Sequence, residues 1–254
     1  MINRLAVILI GQYRTWPICS KYLLNFFEDK AKQVDYFFVT WDKTPDLNDI
    51  TLKSTVTVTN KDITDFIQNQ KITYKILPDI PNVHTFYRMA YLSRAANKLK
   101  KEVEHQNNFV YDQVVETRPD IYLRSYPKGG LECKWPSCQD FEYSGGEITN
   151  IGHRDLFMPD CYLRTNSFTH DILSQRINVI DVKLSFQRKI ITKDYRNDHH
   201  AMIAKFLLDN NIKKFGCPYP DFEFDTVIRN NEMSNVNLDD LTLDEIVSLN
   251  TRHY

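Results

Sequence analysis

Three polar steps interrupt apolar stretches of this chain, and their residue types suit phosphate and proton-transfer chemistry. They are Gly11-Gln12-Tyr13-Arg14, Arg118-Pro119-Asp120 and His153-Arg154-Asp155. Arginine offers a permanent cation with forked donors that match phosphate oxygens. A carboxylate at a strand end, here Asp120, can reach a divalent cation that bridges phosphates or accept from a ribose hydroxyl. A carboxylate near an acceptor hydroxyl can take its proton, and Asp155 and Asp198 have the type for that work. His199 and His200 follow Asp198 directly, but adjacent helix residues point in different directions, so only one of the three can face a site. The competing reading of Arg118 is a surface pair with Glu116 or Asp120, which contributes little.

Those residues need a frame to bring them together. Leu5–Ile10 is continuously apolar, as expected for a strand covered on both faces, and Gly11 ends it. From Trp16 to about Lys32 the spacing of Ile18, Tyr22, Leu23, Phe26 and Phe27 is helical. Val34–Trp41 and Ile72–Leu77 read as further strands, with a short one at Thr55–Thr59 and an Asn60-capped helix through Phe66 and Ile67. His84 to about Gln106 is the longest helical pattern in the chain. Gln113–Thr117 follows as a central strand, and Pro119, lacking an N–H, must break it. Strand–helix alternation of this kind predicts a mostly parallel sheet flanked by helices, an α/β Rossmann-like layer. If the strands before Arg14 and Asp120 are neighbours, these two residues meet at the carboxyl edge of the sheet, where such folds bind ligands. Trp41, Tyr13 or Tyr87 could stack on a base there. Arg88 and Arg94 lie near the start of the long helix, on the side approaching that edge.

Beyond Arg124 the texture changes. Residues 125–144 read as an irregular excursion, Gly145-Gly146 as a turn, and Thr149–Met158 as a short strand. Tyr162–Leu173 suits a helix, Val179–Phe186 a strand, and His199 to about Leu208 a helix. Thr242-x-x-Glu245 is a capping-box start for a terminal helix. Residues 1–220 are expected to form one catalytic domain, with an acidic extension at 221–254 packed on or beside it.

Composition narrows the partners. The chain has 254 residues, a 42% hydrophobic share, ample for a core, and a net charge of −1 that attracts neither nucleic acid nor an anionic membrane. Seven glycines argue against a glycine-rich phosphate loop, and five cysteines without finger-like spacing argue against zinc. No run reaches the roughly 20 apolar residues of a membrane span. The apolar run Leu5–Ile10 has no small-residue cleavage site after it, so a cytoplasmic protein is expected.

The ordered set of segments resembles the GT-A-fold glycosyltransferases of phages, algal viruses and bacteria. Ile8–Trp16 resembles their opening strand and turn, and Val34–Asp42 their second strand. Phe86–Lys100 with Tyr111–Asp120 is similar to the helix and metal-motif strand, and the similarity covers roughly residues 4 to 212. Asp155-Leu156-Phe157 resembles an acidic position on the acceptor side, and Asp198 an acidic residue before a late helix. The resemblance implies transfer of a sugar from a nucleotide-diphosphate donor to a hydroxyl of a glycan or glycoconjugate, in the host cytoplasm for a viral protein. It implies donor binding by Gly11, Gln12, Tyr13, Arg14, Trp41, Arg88, Arg94, Arg118 and Asp120, with Asp155 and Asp198 catalytic. It also implies a divalent metal, Mn2+ or Mg2+, on Asp120. Here Arg118 occupies the first acidic position of the family's Asp-x-Asp, leaving Asp120 as a lone carboxylate. A non-catalytic sugar- or nucleotide-binding module and a nucleotidyltransferase are the alternatives, the latter usually needing several carboxylates.

Overall fold

The computed structural model describes residues 2–46, 53–65, 72–124, 141–143, 162–180, 206, 209–210, 212, 224–229 and 231–250. The first strand, β1 (Ile2–Gly11), is followed by α1 (Trp16–Glu28), β2 (Ala31–Trp41), β3 (Lys43–Pro45) and β4 (Thr55–Thr57). Next come α2 (Asn60–Thr64), β5 (Ile72–Leu77), α3 (Thr85–Asn107), β6 (Gln113–Thr117) and β7 (Ile121–Arg124). Later elements are β8 (Phe141–Tyr143), β9 (Tyr162–Thr165), α4 (Ser167–Leu173), β10 (Phe224–Val227) and α5 (Leu243–Asn250).

Among the described residues the main sheet has the order β5-β2-β1-β6-β9-β8. The pairs β5·β2, β2·β1 and β1·β6 are parallel, whereas β9 runs antiparallel to both β6 and β8. The chain is therefore α/β, with a mostly parallel sheet flanked by helices. β1 explains why its sequence lacks alternation. Leu5, Val7 and Leu9 pack toward Trp16, Leu23 and Phe27 of α1. Ala6, Ile8 and Ile10 pack toward Leu92 and Ala96 of α3. Successive side chains point to opposite faces, and both faces are covered.

Local chemistry sets the helix limits. The His84 side chain accepts from the Phe86 N–H at the start of α3, and Asn108 closes its end in the left-handed conformation at φ 50°. Asparagine tolerates that conformation better than most side chains. α1 stops at Glu28, short of Lys32, because β2 already begins at Ala31. Thr59, not Asn60, caps α2, in a capping box with Asp62. β4 pairs with β3 in a separate hairpin and takes no part in the main sheet.

The helix expected over Tyr162–Leu173 is split. Its first four residues are β9, wedged between β6 and β8, and Asn166 then caps α4 by accepting from the Thr169 N–H at 2.7 Å. Val179 ends a 3-10 turn, Ser174–Val179, instead of opening a strand, and residues 181–186 of that expected strand lie outside the described residues. So do Gly145-Gly146, Thr149–Met158 and most of the expected helix 199–208.

The chain's last stretch shares the main core. β10 pairs antiparallel with β7, and Ile228, Met233, Leu238 and Ile246 are buried in the cluster that holds Leu5, Val7 and Leu9. The Arg124 guanidinium donates to the Leu238 and Leu241 carbonyls at 2.8 and 2.6 Å. The Tyr22 hydroxyl accepts from the Leu238 N–H at 2.8 Å. The Thr242–Glu245 capping box is present at the start of α5. Among the described residues no helix is long and apolar enough to cross a membrane.

Candidate functional site

The strand order creates a switch point. From β1 the chain moves to β2 and β5 on one side, then crosses through α3 to β6 on the other. A crevice outside the carboxyl ends of the strands is expected where the order reverses, between β1 and β6. The residues that end these two strands are Gly11 and Thr117, so the first two polar turns stand next to each other there.

Gly11 is fitted to this contact in two ways. Its φ is +146°, a region that side-chain-bearing residues rarely enter. A Cβ at this position would stand 3.1 Å from Pro119 Cδ. The two turns thus abut through a glycine and a proline ring.

Asp120 lies at the centre of the cluster, with its side chain 2% exposed. Arg118 clamps it with both prongs, Nε donating to Oδ1 at 2.8 Å and Nη2 to Oδ2 at 2.9 Å. Arg14 Nη1 stands 3.9 Å from Oδ2. Arg14 Nε donates to Gln12 Oε1 at 2.6 Å, and its backbone N–H to Thr44 Oγ1 at 3.3 Å. Both arginine side chains keep some solvent contact, 24% and 18% exposed. The C-terminal segment ties the turns together. Ile228 N–H donates to the Asp120 carbonyl at 2.8 Å, and the Thr15 hydroxyl donates to the Ile228 carbonyl at 2.6 Å. Tyr13 O–H donates to the Asp62 carbonyl at 2.8 Å, and burial first, then Asp62 and Asp65, raise its phenol so that it stays a donor.

Two guanidiniums and one carboxylate meet at this corner. The pairing of Arg118 with Asp120 is buried at the acid, unlike a surface pair. It also commits both Asp120 oxygens, so this residue does not fit a Mn2+ or Mg2+ ligand as it stands. Among the described residues no group of three or more His, Cys, Asp or Glu could hold a metal ion.

Trp41 and Arg88 form a second cluster, where β2 ends. Trp41 is 2% exposed, with the Arg88 guanidinium 5.1 Å from its ring centroid and Tyr91 stacked on it at 6.0 Å. Arg88 also pairs with Asp79, whose N–H donates to Asp42 Oδ1 at 2.7 Å. The indole is therefore already covered, and Tyr87, half-buried and stacked on Tyr91 at 6.3 Å, is the expected base partner that keeps some exposure here. Arg94 belongs to neither cluster, because its Nη1 donates to Asn178 on the 3-10 turn beside α3. Asp155 and Asp198 lie outside the described residues, as do His153, His199 and His200.

Sequence reasoning passed over a buried network behind the turns. Glu116, in the middle of an apolar strand, accepts from Arg176 Nη2 at 2.6 Å, from His170 Nε2 at 3.1 Å and from the Ser93 hydroxyl. Burial alone would raise its carboxyl. Arg176, His170 and Ser93 outweigh that and hold it down at about 2. His170 is pushed below the usual histidine range, chiefly by burial, against the pull of Glu116. The available signal was a charged residue inside Val-Val-Glu-Thr, since a buried charge requires partners. Its partners Ser93, His170 and Arg176, 23 to 60 residues away, were beyond any local pattern.

No protein-family model matches this sequence, and no curated protein matches it.

Proposed function

We propose that the protein is a GT-A-type glycosyltransferase, moving a sugar from a nucleotide-diphosphate donor to a hydroxyl of a glycan or glycoconjugate. One observation carries the proposal: Arg14 and Arg118 converge on Asp120 at the switch point between β1 and β6. A diphosphate seated outside those strand ends meets two fixed cations. Asp120 holds their planes in position and lowers the cost of placing two positive groups side by side.

In the reaction the acceptor oxygen forms a bond to the anomeric carbon, and the bond from that carbon to the donor phosphate breaks. The electron pair leaves with the nucleoside diphosphate, so negative charge grows on the departing oxygen. Preorganised guanidiniums aimed at that charge stabilise the transition state more than the ground state. The acceptor hydroxyl loses its proton to a carboxylate, and Asp155 and Asp198 are the proposed bases. The arginine pair supplies positive charge at the position where the resembled family carries a metal motif. A cytoplasmic setting accords with a nucleotide-sugar donor.

Thermal-shift measurements against UDP-, GDP-, dTDP- and CMP-sugars, with and without manganese, test the reading. Selective stabilisation by one diphosphate donor is expected, because a ligand that binds only the folded form raises its stability. Release of nucleoside diphosphate on adding acceptor supports transfer, whereas pyrophosphate release indicates nucleotidyl transfer. Stabilisation without turnover by any acceptor indicates a binding module, and silence toward every donor overturns the proposal.

A further inference from the structure

One seam of α3 carries Tyr87, Tyr91, Arg94, Lys98, Lys101 and His105, spaced alternately four and three residues apart. At about 1.5 Å per residue the seam runs for roughly 27 Å. A different stripe, including Leu92 and Ala96, packs on the sheet. Apart from the half-buried Tyr87, the seam residues are exposed. The helix follows β5, so it starts at the carboxyl edge of the parallel strands and runs back toward their amino ends. Tyr87 stacks on Tyr91 at 6.3 Å and Tyr91 on Trp41, an aromatic step near that edge.

Farther along, α3, the end of α4 and the 3-10 turn after it border an open groove of about 650 Å³. That volume falls within the range of small-ligand sites. Its floor is built from below. Asp171 accepts from Asn97 Nδ2 at 3.0 Å, from the fully buried Lys100 at 3.1 Å, and lies 3.2 Å from Lys101 Nζ. Burial alone would raise the Asp171 carboxyl, but Lys100 and the hydrogen bonds from Asn97, Lys100 and Lys101 hold it below its usual range, so it is ionised. Gln175 and Asn178 add amides on the facing wall, with Arg94 bonded to Asn178 at 3.4 Å.

We infer that this seam and groove form the track for an anionic oligosaccharide, a chain of sugars bearing carboxylate groups such as uronic acids. Arg94, Lys98 and Lys101 answer the acid groups by charge-assisted hydrogen bonds. The Gln175 and Asn178 amides accept from and donate to ring hydroxyls, the Asp171 carboxylate accepts from them, and Tyr87 offers a flat apolar face to a sugar ring. Glu102 stands 4.0 Å from Lys98 and Asp171 3.2 Å from Lys101, so each lysine has an acid beside it; a polymer with a phosphate on every unit is disfavoured, and the mixture selects glycan over nucleic acid. The tyrosine end of the track lies at the carboxyl edge of the parallel strands, the edge where β1 and β6 end. The track's role as the acceptor site rests on the transferase reading, while the binding itself does not.

The test is calorimetric titration of the full chain with oligogalacturonate, with malto-oligosaccharide as the neutral chain and oligouridylate as the nucleic acid. Saturable binding of oligogalacturonate alone is expected. The Lys98→Gln/Lys101→Gln variant should bind it roughly tenfold more weakly, a loss of about 1.4 kcal/mol. These side chains are exposed, so an unchanged thermal midpoint separates that loss from misfolding. No binding of oligogalacturonate, equal binding of the neutral chain, tighter binding of oligouridylate, or unchanged affinity in the variant each overturns the inference. UDP titration does not depend on Lys98 or Lys101, the two residues replaced. UDP bound without oligogalacturonate removes the track alone, and the reverse removes the transferase reading alone.

Discussion

Arg14 Nη1 lies 3.9 Å from Asp120 Oδ2, although the two residues sit in turns after different strands and reach each other only because β1 and β6 are neighbours. Arg118 grips the same carboxylate bidentately from its own turn. The acid therefore organises two cations, and its neutralisation should disturb position more than fold. Asp120→Asn keeps the shape but removes the charge that holds the arginine planes. Turnover is expected to fall about a hundredfold, the scale seen when one preorganised electrostatic contact is lost. Donor binding should weaken far less, so steady-state kinetics should show the loss in kcat. An unchanged kcat would mean that Asp120 does not position the arginines for transfer.

Gly11→Ala should destabilise the protein by about 1–3 kcal/mol, a cost typical of side-chain-bearing residues in sparsely populated backbone regions. The added methyl would meet Pro119 Cδ at 3.1 Å while the backbone stays at φ +146°. A lower urea midpoint with an unchanged slope checks this.

Glu116 makes stability depend on acid. Its folded value of about 2 lies below the unfolded value near 4.5, so its contribution is full above pH 4.5 and is lost as pH falls toward 2. The difference is on the order of 3 kcal/mol. His170, also depressed, acts in the same direction, its share declining as pH drops below about 6.5. Urea unfolding from pH 7 to pH 3 should show a steady loss. Glu116→Gln leaves Arg176 buried against a neutral partner and is expected to cost about 3–5 kcal/mol at pH 7, with a flatter acid dependence.

Chelation should have little effect on the donor corner. Both Asp120 oxygens accept from Arg118, so UDP affinity measured in EDTA and in manganese is expected to agree within about twofold, less than the tenfold that 1.4 kcal/mol represents. A large gain with manganese would show that the Arg118–Asp120 pair opens to admit the ion.

Much of the frame is legible in the sequence because it rests on local or strongly periodic signals. Leu5–Ile10 has no alternation since α1 and α3 cover both faces of β1. Thr242 and Glu245 mark the start of α5 three residues apart. The break at Pro119 follows from a missing N–H. What local pattern cannot carry is long-range pairing. Tyr162–Thr165 has residues that suit a helix, yet strand partners on both sides decide its state. Thr55–Thr57 is a strand by composition, but its partner is β3 and not the central sheet. At the candidate site, Arg14 and Asp120 announce themselves as polar turns after apolar runs. Glu116 does not, because Ser93, His170 and Arg176 are brought to it only by folding.

The central claim is that Arg14 and Arg118 hold a diphosphate, and calorimetric titration with UDP and GDP tests it most directly. The wild-type chain should bind at least one of them, with Arg14→Ala and Arg118→Ala each weakening that affinity roughly tenfold or more. Equal affinity in wild type and both variants, or no binding of either nucleotide, would contradict it.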